Sequence, residues 1–202
     1  MENVSDKLNS RQLQSLETKN RIYEVALRKF TEKSLDEVTI ASICKEAGVS
    51  VGSFYNYFDS KEAIIYENFR RADMDFTRFE QVDQEGQETL PLILDYMDYY
   101  ISFVSAQDLN FIKHLYTTSN RYFVMPHRPM QEVLKTILRR RQVKVSPEFM
   151  ESSDDLVDQL FMTARGVIFH WCLHEGRFNI RELARKHFLL ILRGALIEEK
   201  ER

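Results

Sequence analysis

His170 and His174 stand four residues apart, so on a helix their imidazoles share one face, a spacing at which two histidines can bind a transition metal. Cys172 lies between them and Glu175 follows. Trp171, not Glu, comes after His170, so the His-Glu-x-x-His motif of a zinc protease is missing and no third ligand is evident. These histidines are expected to serve packing or an interface, and neither a metal nor another cofactor is expected. Arg165 interrupts an apolar stretch beside Gly166. A charge there needs a carboxylate partner, an outward position in water, or the anionic head group of a ligand. Tyr96, Tyr99, Tyr100, Phe103, Phe111, Tyr116, Tyr122 and Phe123 crowd one segment, with Met97 and Met125 beside them. Such a set packs as a core or encloses an apolar ligand. The candidate ligand-lining residues are Tyr96, Tyr100, Phe103, Phe111, Tyr116, Tyr122 and Arg165.

Different chemistry is available between Thr39 and Tyr57. Thr39 can cap a short helix over 40–47, Gly48 can end it in the left-handed conformation, and Ser50 can cap a second short helix over 51–57. Two short helices joined by so tight a turn pack near a right angle. Ile40, Ile43, Ala47, Val49 and Phe54 supply their shared core. That leaves Ser50, Val51, Gly52, Ser53, Tyr55, Asn56 and Tyr57 mostly outward. Small, hydroxyl and amide side chains of this kind suit the DNA major groove. Taken without the motif, Tyr55 and Tyr57 read as packing aromatics, and Thr39, Ser50 and Ser60 as plain helix caps.

The elements that must hold these residues are helices. Ile22, Val25, Ala26 and Phe30 give an apolar face to a helix expected over 18–33. Ser60 can cap a long helix from Lys61, along which Ile65, Phe69, Ala72, Phe76 and Phe79 form one stripe. A polar loop is expected at 83–88, then helices over 89–105, 108–118, 129–143, 153–174 and 180–200, with Pro126 and Pro129 as breaks. Asn179 and Glu182 have capping-box spacing. From Phe188 to Ile197 the only charge is Arg193, and the preceding helix is similarly apolar around Leu160, Phe161, Met162, Ile168 and Phe169. A helix apolar on all sides needs burial on all sides, and one small chain covers one of them. A homodimer through these two helices is expected, with Phe161, Ile168, Leu190, Gly194 and Ile197 at its interface.

Composition agrees. The chain has 202 residues, 44% hydrophobic and 29% charged, so wholesale disorder is excluded. Six Gly and four Pro are too few for a turn-rich β fold. Two Cys give no disulfide framework, which fits a reducing, cytoplasmic setting. A net charge of −3 excludes a polybasic protein that coats nucleic acid by charge alone. No secretory signal and no membrane-spanning apolar run is evident.

Arg21-Ile22, Ala26, Phe30, Thr39-Ile40, Ile43, Ala47-Gly48-Val49-Ser50, Gly52-Ser53, Tyr55, Tyr57-Phe58 and Ser60-Lys61-Glu62 resemble, without a gap, the amino-terminal domain of TetR-type transcriptional regulators. The resemblance implies an all-α protein: a flexible arm over 1–17, a three-helix DNA-binding domain over 18–65, and a helical ligand-sensing and dimerisation domain over 66–202. It implies DNA contacts at Thr39, Ser50, Val51, Gly52, Ser53, Tyr55, Asn56, Tyr57 and Lys61. The implied partners are double-stranded operator DNA, a small-molecule effector and a second copy of the chain, with no membrane and no catalysis. Repression is the usual mode. The sequence departs from the family pattern at Ser34, Cys44, Val51 and Asp59. Residues 18–62 hold seven basic and seven acidic side chains, so few phosphate contacts and a modest salt dependence are expected. Lys7, Arg11 and Lys19 can add charge from the arm. The alternatives from other classes are an all-α enzyme using His170, His174 and Glu175, and a ligand-binding or scaffolding dimer without DNA affinity.

Overall fold

A computed structural model describes residues 10–33, 35–77, 79, 87–117, 120, 123 and 127–197. Lys7, Ser34, Tyr122, Met125, Pro126 and most of the expected 83–88 loop lie outside the described residues. Within them the chain is all helical apart from one antiparallel bridge, Val145 with Leu196. It divides into two compact units, residues 1–67 and 68–202.

The first unit holds α1 (Ser10–Glu32), α2 (Ile40–Ala47), α3 (Val51–Tyr55) and the start of α4 (Lys61–Phe76). The expected apolar face of α1 is buried, with Tyr23 added to it. The helix begins eight residues before the expected Thr18, because a first half without a buried stripe carries no periodic signal; Leu13 and Leu16 are exposed. Thr39 caps α2 by accepting from the Ser42 N–H at 3.1 Å. Gly48 ends it at φ 66°, and Ser50 caps α3 by accepting from the Ser53 N–H at 3.0 Å. Ile22, Ala26, Phe30, Ile43, Ala47, Phe54 and Ile64 are all fully or almost fully buried and form this unit's core. Cys44 is buried among them, and burial raises its thiol pKa.

The second unit comprises the rest of α4, then α5 (Thr89–Ser105), α6 (Leu109–Leu115), α7 (Pro129–Arg140), α8 (Ser153–Leu173) and α9 (Ile180–Ala195). α9 packs on α5 and α8, while α6 and α7 pack on α8. Ser152 and Asp155 form a complete capping box at the start of α8. Asn179 caps α9 by accepting from the Glu182 N–H, while the Glu182 carboxylate turns to Lys186 instead of completing a box. α9 was expected to reach Lys200 but stops at Ala195. There Ser146 donates its N–H to the Ala195 carbonyl at 2.7 Å and the chain turns extended beside 144–146. Leu196 and Ile197 are therefore not helical. α7 likewise ends at Arg140, short of Val143.

Candidate nucleic-acid interface and ligand cavity

The two caps aim the outward residues of the first unit. Because Thr39 and Ser50 satisfy their own helix starts, α2 and α3 are held at fixed ends, and the apolar inner face (Ile43, Ala47, Phe54) sets which residues face water. Val51, Gly52, Tyr55 and Asn56 are exposed, and Tyr55 is 52% exposed although it is one of the largest side chains on α3. Ser53 is half-buried, its hydroxyl accepting from Ser50 at 3.1 Å. Tyr57 is half-buried too, and its hydroxyl accepts from Ser15 of α1 at 3.4 Å.

Lys61 differs from its expected outward role. Its ammonium is drawn inward and donates to the carbonyls of Leu35 at 2.5 Å and Val38 at 3.3 Å. Two of its three N–H groups are thereby engaged, and one is left for a phosphate. Thr39, Tyr55 and Lys61 line one open depression of about 360 Å³, together with the carboxylates of Asp36, Asp59 and Glu62. Other basic side chains are also spent internally. Arg21 donates to the Ala47 carbonyl at 2.8 Å, Arg28 and Lys29 both pair with Glu46, and Lys19 pairs with Glu67 at 3.5 Å. The Glu46 carboxyl is held below its ordinary pKa by its bonds to Lys29 and then Arg28. Lys33 and Lys45 are exposed and make no ion pair among the described residues. Lys45, on the outer side of α2, is the cation that family-motif reasoning passed over.

In the second unit a narrow cavity of about 20 Å³ opens beside α4. Tyr100, Phe103 and Tyr116 line it, and the Tyr100 and Tyr116 hydroxyls hydrogen-bond at 2.9 Å. Tyr96 and Phe111 do not line it. Tyr96 is fully buried and donates its hydroxyl to the Met130 carbonyl at 2.5 Å, and Phe111 is a core side chain. Arg165 is not on the wall either, although its charge acts on Tyr116. The sequence reading missed Asn68, Phe69, Ala72, Gln107 and Arg128 on the wall. One signal was present: Asp73 falls four residues after Phe69, on the apolar stripe of α4, where a carboxylate calls for a buried cation. That cation is Arg128, paired with Asp73 at 3.2 Å.

The expected dimer residues divide in two. Phe161 and Ile168 are fully buried inside their own unit and offer a partner no surface. Their side chains fall on the inner stripe of α8, and the outward apolar side chains there are Met162, Phe169 and Leu173. Leu190 is 72% exposed on α9, Gly194 is exposed with nothing within 4 Å of an added Cβ, and Ile197 is exposed just past the helix. His170 and His174 meet edge to face with ring centres 4.4 Å apart, and both lie against Phe178.

The profile of the family described as bacterial regulatory proteins, tetR family, matches residues 22–67. An HTH-type transcriptional regulator of Staphylococcus aureus (strain USA300) is 27% identical over 88 residues, which are 43% of this chain and 48% of that protein. The chain thus spans about half the length of the curated relatives it matches. SmeT, the repressor of the Stenotrophomonas maltophilia multidrug efflux pump SmeDEF, superimposes with a TM-score of 0.69 at 16% identity, over 90% of this chain and 91% of that one. Thermus thermophilus FadR, a TetR-family transcriptional repressor solved with lauroyl-CoA, gives 0.62 at 19% identity over 91% and 98%. These two likenesses are of fold. Residues 22–67 thus carry the amino-terminal domain of the tetR family of bacterial regulatory proteins. Among the described residues no helix is long and apolar enough to cross a membrane.

Proposed function

We propose that this protein is a ligand-responsive transcriptional regulator without catalytic activity. It binds a palindromic operator in the cytoplasm as a homodimer, represses, and lets go when a small molecule enters the second unit. The observation that carries this reading is the doubly capped helix-turn-helix with Ser50, Val51, Gly52, Tyr55 and Asn56 turned outward on one short helix. Small and hydroxyl groups at the amino-terminal end of such a helix reach base edges, and flanking hydroxyls fix its register on phosphates. Thr39 adds a helix amino terminus, where phosphate is favoured. The dimer is supported by the outward Met162, Phe169, Leu173, Leu190 and Ile197, an apolar set that a lone chain leaves in water. The cavity supports a small-molecule effector, and FadR offers a relative of the same fold with a bound acyl-CoA.

Selection of bound duplexes from a random pool, followed by anisotropy titrations on the winner and a scrambled duplex, tests the reading. A palindromic winner bound by two chains, at least about a thousandfold tighter than the scrambled duplex, is expected. Equal affinity for both duplexes would remove specific regulation and leave a ligand-binding dimer.

A further inference from the structure

The open depression on the first unit carries the wrong charge for a polyanion. Thr39 and Tyr55 bring two neutral hydroxyls to it, and Asp36, Asp59 and Glu62 bring three carboxylates. All three acidic residues are exposed, and none makes an ion pair among the described residues. Lys61 is the one cation among the described residues on the wall, and its ammonium is turned to the carbonyls of Leu35 and Val38. The Thr39 hydroxyl accepts from the Ser42 N–H and keeps its own proton to donate. A phosphate seated against Thr39 and Tyr55 thus meets neutral donors, and three negative charges against one positive. Asp59 and Glu62 have a second role, because a carboxylate at the start of α4 favours the helix. Asp36 lies in the turn before α2, outside any helix.

We propose that Asp36, Asp59 and Glu62 restrain DNA affinity: they oppose the phosphate contact at Thr39 and Tyr55 and so lower the hold on every duplex. The proposal rests on the reading of α2 and α3 as the DNA-binding face, and it names the residues that set the strength of that contact. Sequence-independent binding is almost wholly attraction to phosphate. A like charge about 10 Å away in water shifts an equilibrium about twofold, so three of them withhold about five- to tenfold. Salt shortens their reach, from ~10 Å at 0.1 M to ~3 Å at 1 M. The restraint acts on every duplex alike, since phosphates carry no sequence. With that contact held down, the base-reading side chains of α3 carry a larger share of the binding.

Anisotropy titrations of the full chain, on the duplex won by selection and on its scrambled counterpart, test this with Asp36→Asn, Asp59→Asn, Glu62→Gln and the triple variant. At about 0.05 M salt each single change is expected to tighten binding about twofold and the triple about five- to tenfold, on both duplexes. The triple gain is expected to shrink below about twofold at ~0.5 M. Glu24→Gln is the control: Glu24 is exposed on α1 and not on the wall of the depression, and its gain is expected to be smaller than that of Asp36→Asn. Thermal unfolding of each variant separates the helix-start role of Asp59 and Glu62 from the effect on DNA. Asp36→Asn keeps the test decisive if those two lose stability. Unchanged or weaker binding by folded variants overturns the proposal and leaves the DNA-binding reading standing. An equal gain from Glu24→Gln overturns it as an effect of net charge, and a gain that salt leaves unaltered overturns it as a change of shape. The expected gains, on a protein that does not discriminate the two duplexes, sustain the proposal and remove specific regulation instead. No binding of either duplex by any of these proteins overturns both.

Discussion

The ammonium of Lys61 donates a hydrogen bond to the carbonyl of Leu35 at 2.5 Å and so ties the turn before α2 to the first residue of α4. A second bond, to Val38, reinforces the tie. Lys61→Ala is therefore expected to destabilise the protein by about 1–3 kcal/mol, since bonds from a charged donor to partly buried carbonyls are lost. The salt slope of DNA binding should fall by less than one, because this ammonium is committed to the fold. Urea denaturation and salt-dependent anisotropy read the two effects separately. Unchanged stability with a slope lower by a full unit would mean that the ammonium serves phosphate instead.

Tyr55→Phe should leave stability within about 0.5 kcal/mol, because the ring is exposed and stays in place. Its hydroxyl is the expected phosphate donor, so affinity should drop about two- to tenfold on every duplex alike. Ser53→Ala keeps the N–H that caps α3 on Ser50 and removes only the hydroxyl. It should shift base preference among operator variants, which selection on randomised half-sites reads directly. If Ser53→Ala yields the wild-type consensus, that hydroxyl reads no base.

Leu190 stands 72% exposed on α9, so Leu190→Glu puts a charge into water in the free chain and costs its fold little. In a dimer formed through α8 and α9 the same charge is buried without a partner, at several kcal/mol. Sedimentation should report a folded monomer. A fully dimeric Leu190→Glu protein would move the interface to another surface.

Asp73 and Arg128 neutralise one another under almost complete burial. Asp73→Leu alone takes the paired carboxylate from a buried guanidinium and should cost about 3–5 kcal/mol, whereas Asp73→Leu with Arg128→Met should restore most of that loss. Thermal denaturation of the two singles and the double gives the coupling energy. Additive losses would show that the pair does not act as a unit.

Much of this was legible in the residues, and what was not has definite causes. Gly48, Thr39, Ser50 and Ser60 act locally, so their turn and caps could be read directly from the chain. The inner stripe of α4 was legible for the same reason, since each apolar residue repeats its own helical turn. The inward bonds of Lys61 were not legible because its partners, Leu35 and Val38, are main-chain carbonyls that no side-chain pattern announces. Phe161 and Ile168 were misread because an apolar residue on an all-round apolar helix does not say which side its own chain covers; α9, α7 and α6 decide that. Arg128 was missed because its counter-ion lies 55 residues away. Tyr96 was assigned to the cavity on residue type, yet its hydroxyl is satisfied by a carbonyl deep in the core.

The last expectation concerns coupling. α4 is one helix from Lys61 to Phe76, with Lys61 holding the turn before α2 at one end and Phe69 and Ala72 on the cavity wall further along. A ligand that widens the cavity presses on Phe69 and Ala72, and a continuous helix transmits the displacement along its axis instead of absorbing it. On DNA, two recognition helices must sit about one turn apart, ~34–36 Å, or a multiple of it. A shift of a few ångströms in that separation spoils simultaneous docking while leaving each half intact. The coupling required is about 1–3 kcal/mol, and it acts equally in both directions. Operator DNA must therefore weaken the binding of an effector by the same factor by which that effector weakens operator binding. With an effector found by thermal-shift screening of small molecules against the full chain, calorimetry with and without saturating operator measures the first factor, and anisotropy with and without effector measures the second. Equal effector affinity in the two titrations would sink the release mechanism and leave a DNA-binding protein that this small molecule does not control.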